Sequence, residues 1–209
     1  MKRSAVIKGL RIALVAGLLL AGTAHGAGVL TIDRIGTLPR QELDDRIFSY
    51  QEGFASLQRS LERLNKELDT TSQERIASSE RQVRNGELAL QKARKALANL
   101  TEFVASNRRF LMGEQARYLP LADLGREIED PYLARLADYL AASRQLLAHT
   151  GTYFAQVSAG QEPHWGRYED LYRAYLDRLD QLNDALDKRA QALRKFVASH
   201  PDLRDQLPP

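Results

Sequence analysis

Residues 43–68 read LDDRIFSYQEGFASLQRSLERLNKEL, and the spacing of their apolar members decides the fold. Leu43, Ile47, Tyr50, Phe54, Leu57, Leu61, Leu64 and Leu68 follow one another in alternating steps of four and three. A seven-residue repeat with two apolar positions keeps one stripe of an α-helix facing the same neighbour along its whole length. The segment is therefore a long helix that must lie against another helix. Glu42 and Arg46, like Glu62 and Lys66, stand four apart on its outer face in the order that favours ion pairing. Pro39 suits its first turn.

Beyond Leu68 the register breaks, because continuing it would put Thr71, Arg75 and Ser78 in the core. A new seven-residue rhythm runs through Ile76, Val83, Leu90, Leu97, Val104 and Leu111, with the mostly small companions Ser79, Gly86, Ala93, Leu100 and Asn107. Two turn sites compete. Thr71 and Glu74 are spaced as a capping box, whereas Asn85-Gly86 is the stronger local stop signal. The rhythm passes straight through Gly86, so the turn is expected near 69–72. A connector with one short helix is expected over 113–129, and Asp130-Pro131 reads as an N-cap followed by proline at N1. Leu133, Leu136, Leu140, Leu147 and Phe154 then carry a stripe up to a turn at Gly160–Pro163. The last stripe runs from Trp165 through Tyr168, Tyr172, Tyr175, Leu179, Leu182, Leu186 and Leu193 to Phe196, and Arg189 is its single break.

These readings predict an all-α protein: an elongated up-down four-helix bundle with coiled-coil-like heptad packing. Its domain is expected over 39–199, with helices at about 39–69, 72–112, 131–158 and 164–199. Residues 200–209 are expected to be a flexible tail.

The N-terminus reads as a separate object. Lys2, Arg3, Lys8 and Arg11 precede the apolar run Ile12–Leu20, and Ala24 and Gly26 offer a cleavage site before Ala27. Residues 1–26 are thus expected to be a cleaved signal peptide and 27–38 an extended leader, which places the protein in a bacterial periplasm. The alternative is an uncleaved inner-membrane anchor, although the run is about half the ~20 apolar residues of a membrane-spanning helix. The whole chain has 30 Lys and Arg against 27 Asp and Glu, net +3. Residues 1–26 carry four basic and no acidic groups, so the remainder holds 26 against 27, net −1. That balance argues against binding of nucleic acid.

The sequence contains no cysteine, which excludes disulfides, thiolate catalysis and thiolate metal sites. It has four histidines and no E-x-x-H pair, H-E-x-x-H, P-loop or G-x-G-x-x-G. A non-covalent haem would need a buried ligand such as His149 or Met112, for which a structural or surface role is expected instead. Adjacent carboxylates at Asp44-Asp45 and Glu169-Asp170 diverge on a helix rather than converge. Neither an enzyme nor a bound cofactor or metal is expected.

The distinctive segment is Pro163–Tyr175, PHWGRYEDLYRAY. Tyrosine and tryptophan suit positions that are apolar at one end and wet at the other. One reading makes this stripe the core at one end of the bundle. The sharper reading makes Trp165, Arg167, Tyr168, Tyr172, Arg173 and Tyr175 an interaction patch. The expected function is a non-catalytic helical adaptor that binds a protein partner in the cell envelope or a secretion-type assembly, or a second copy of itself. A periplasmic holdase chaperone with coiled-coil arms is the alternative, and a small-ligand-binding bundle comes third.

Overall fold

The computed structural model describes residues 38–163 and 166–208, and every regular element among them is helical. Five α-helices pack together: α1 (Leu38–Glu67), α2 (Gln73–Ser106), α3 (Pro120–Leu124), α4 (Asp130–Ser158) and α5 (Gly166–Ser199). The expected signal peptide and most of the leader lie outside the described residues.

The heptad seam of α1 is buried from Leu43 to Leu64, and all six leading positions of the second rhythm, Ile76 to Leu111, are buried as well. The two faces meet closely because small residues stand where the backbones approach. A Cβ added at Gly53 would lie 3.2 Å from the Cα of Ala93, and one at Gly86 would lie 3.1 Å from Leu140 of α4. Helix α2 therefore runs unbroken through Asn85-Gly86. Its contacts align the end of α1 with the start of α2 (Asp69 N–H donates to Ser79 Oγ, 2.9 Å) and the start of α1 with the end of α2 (Arg46 Nη1 donates to Asn99 O, 3.1 Å). Helix α4 packs on α2 and α5 packs on α4.

Four details differ from the sequence reading, each for a local reason. The α1–α2 turn is capped by Ser72, whose Oγ accepts from Arg75 N–H at 3.3 Å, not by a Thr71 box. The buried Ser79 completes that turn by donating to the carbonyl of Glu67 at 2.8 Å. Helix α2 ends at Ser106 rather than about 112, since Asn107 turns its side-chain amide back onto Phe103 O at 2.9 Å. Leu111 is nevertheless buried, pinning the loop that follows.

The third difference matters most for the site. Asp130-Pro131 does open α4, but inside its first turn rather than as cap and N1, because the helical path already runs in from Pro120 through a π-turn at Gly125–Glu129. There the N–H of Asp130 reaches back to the carbonyl of Gly125, one residue further than in an α-helix. Proline inside a regular helix clashes with the carbonyl four residues earlier, and the widened turn just before Pro131 relieves that clash. Fourth, the tail is docked rather than loose. Residues Pro201–Gln206 form a 3₁₀ turn, Leu203 is fully buried, and Gln51 of α1 donates to Asp205 O at 2.8 Å.

Candidate functional site

The first turns of α5 carry Tyr168, Tyr172 and Tyr175 at i, i+4 and i+7, which lie on one helix face. Their rings form a ladder. Tyr168 stacks on Tyr172 with centroids 5.9 Å apart, Tyr172 on Tyr175 at 6.3 Å, and Tyr175 meets Tyr139 of α4 at 5.7 Å. Exposure increases toward the end of the bundle: Tyr175 is buried, Tyr172 and Tyr168 are half-buried, and Arg167 and Arg173 are exposed. Burial pushes the phenols of Tyr175 and Tyr168 up from the ordinary tyrosine value, so both are neutral hydrogen-bonding groups. Arg173 stands 3.6 Å from the carboxylate of Glu169 one turn away. Of the six residues predicted for this patch, five are thus brought to one end, with Tyr175 given to the core. Trp165 lies outside the described residues.

A second constellation sits near the other end of α4, where the π-turn delivers Glu129 into the interior with no exposed surface. Arg189 of α5 grips it with two parallel bonds, Nε to Oε2 at 2.6 Å and Nη2 to Oε1 at 2.9 Å. Tyr50 of α1 donates its hydroxyl to Oε1 at 2.9 Å. The guanidinium lies over two rings, 5.1 Å from the centroid of Tyr132 and 5.5 Å from that of Phe54. Burial opposes its charge, but the Glu129 carboxylate overrides this and holds the Arg189 pKa above its usual value. Burial, reinforced by Glu129, raises Tyr50 well above the ordinary phenol; burial pushes Tyr132 up to about 12.

Both oxygens of Glu129 are engaged by donors from inside the fold, so this carboxylate ties α1, the π-turn and α5 together. Beside it an open groove of about 420 Å³ runs between α4 and α5, with Ile128, Tyr132, Arg135, Gln181 and Lys188 among its walls. Arg189 was visible in the sequence as the break in the α5 stripe. Glu129 was not, because it lies in the stretch read as a connector.

The haem-ligand candidates are not brought together. Met112 is exposed in the loop after α2, while His149, with a buried and unpartnered Nε2, lies toward the far end of α4. Among the described residues no three His, Asp or Glu side chains converge as metal ligands, and no helix is long and apolar enough to cross a membrane. No protein-family model matches the chain, and no curated protein or solved structure matches it.

Proposed function

We propose that this chain is a non-catalytic helical adaptor, exported to the periplasm, that docks on a protein of the bacterial envelope or of a secretion-type assembly. On this reading α1, α2, α4 and α5 act as an elongated up-down four-helix bundle whose α5 start is the docking end. The observation that carries the proposal is the tyrosine ladder, which leaves the core at Tyr175 and reaches the surface at Tyr168 between Arg167 and Arg173. Aromatic anchors rooted in a rigid core and rimmed by arginine are the composition that carries binding energy at protein interfaces. The buried Glu129–Arg189 pair supports the same reading by fixing α5 against α1 and α4, which presents the ladder without an ordering cost on docking.

Crosslinking in intact cells, followed by mass spectrometry of the joined species, tests the proposal. One dominant protein joined through residues 166–175 is the expected result. A broad set of unrelated clients would replace the adaptor reading with a holdase, and no adduct at this end would remove the patch.

A further inference from the structure

The loop after α2 has an apolar tip that the packing leaves unused. It reads Arg108-Arg109-Phe110-Leu111-Met112. Leu111 is buried and fixes the loop, while Phe110 and Met112 on either side of it are 71% and 74% exposed, the highest values for large apolar side chains among the described residues. Arg108 and Arg109 are exposed beside them, and Arg117 follows. Arg117 faces Glu114 and Asp202 of the C-terminal turn, which leaves Arg108 and Arg109 as the basic pair beside the apolar tip.

Position gives the tip its meaning. The register of α1 on α2, set by Gly53 against Ala93 and by Arg46 at Asn99 and over the ring of Phe103, brings the first turn of α1 level with this loop. The outer rung of the tyrosine ladder, Tyr168, pairs with Thr70 in the turn before α2, so it lies toward the opposite end of a helix whose 34 residues span roughly 50 Å at ~1.5 Å each.

We propose that the 108–112 tip seats on the surface of a bilayer containing anionic lipid. Phe110 and Met112 enter the headgroup boundary and Arg108 and Arg109 meet lipid phosphates. Exposed apolar side chains interleaved with basic ones are the pattern that binds such interfaces, each part too weak alone and sufficient together. The inference rests on the export reading, which puts the chain beside a membrane, and adds an orientation to it: the ladder projects away from the lipid.

The absence of cysteine makes the test direct. The processed chain, residues 27–209, carrying Met112→Cys and labelled with an environment-sensitive fluorophore, is titrated with vesicles of equal parts phosphatidylglycerol and phosphatidylcholine. Leu88→Cys, exposed in the middle of α2, serves as the reference. The expected result is a blue shift at 112, weaker with phosphatidylcholine alone and absent at 88. Adding Arg108→Ser and Arg109→Ser should raise the lipid needed roughly 30-fold, the equivalent of about 1 kcal/mol for each arginine. No shift at 112, an equal shift at both positions, or indifference to lipid charge overturns the proposal. The Tyr172→Ala background separates the two readings, because loss of the protein partner leaves the tip's response intact.

Discussion

At the scale of single residues, the Glu129–Arg189 pair is where the fold is most exposed to failure. An ion pair this deep is held by geometry, and removing one partner strands a buried charge, which costs roughly 3–5 kcal/mol. Arg189→Met should therefore lower the urea midpoint sharply, whereas the double replacement Glu129→Leu with Arg189→Met should recover much of the loss. A midpoint for Arg189→Met equal to the parent's would show the pair to be idle. The phenols around the pair predict an alkaline limit as well. Tyr50 and Tyr132 hold their protons above the ordinary value of 10.0, Tyr132 to about 12, so in the folded state each binds a proton that the unfolded chain releases. Their contribution is fully present below pH ~10 and is lost as the pH rises toward 12, at about 1.4 kcal/mol per unit for each. Urea midpoints measured across that range should fall more steeply for the parent than for a Tyr132→Phe variant. Arg189 announced itself in the sequence by interrupting an apolar stripe; its partner did not. The π-turn adds a residue to one helical turn, and no 3.6-residue pattern tracks a side chain across such an insertion.

At the scale of elements, the long helices were legible because their apolar positions repeat, and the short ones were not because they do not. The heptads of α1 and α2 run for several turns, enough for Ile76 to Leu111 to be traced through a glycine that would otherwise suggest a stop. The π-turn depends on a close approach that sequence does not advertise: a Cβ on Gly125 would sit 2.3 Å from Thr101 Cγ2 of α2. Gly125→Val should destabilise by about 1–3 kcal/mol through overpacking, and Thr101→Ser should relieve part of it. Unfolding curves of the two single variants and the double variant check the coupling. The C-terminal turn was equally hidden, since DLRDQLPP is polar and bracketed by prolines. It is held by the buried Leu203 and Pro208, by Leu207 packed against the core, and by the Gln51 amide of α1 at two carbonyls. Leu203→Ala should cost about 2–5 kcal/mol, seen as a lowered melting temperature, where a free tail would leave it unchanged.

At the scale of the whole molecule, the bundle separates two surfaces of different chemistry. One end carries the arginine-flanked Phe110 and Met112, the other the tyrosines of α5, and the Glu129–Arg189 pair lies in the packed interior between α1, α4 and α5. The aromatic segment was conspicuous in the sequence, yet periodicity alone could not divide it. The same i, i+4, i+7 spacing that buries Tyr175 against Tyr139 leaves Tyr168 half in water. The central claim is that this half-covered end binds a protein partner, and Tyr172→Ala tests it most directly. Crosslink yield in cells and helicity by circular dichroism should be measured together on that variant. The account predicts that the dominant adduct is lost while helicity stays at the parent's value. Undiminished crosslinking, or a loss of helicity in step with it, would contradict the claim and return the tyrosines to the core.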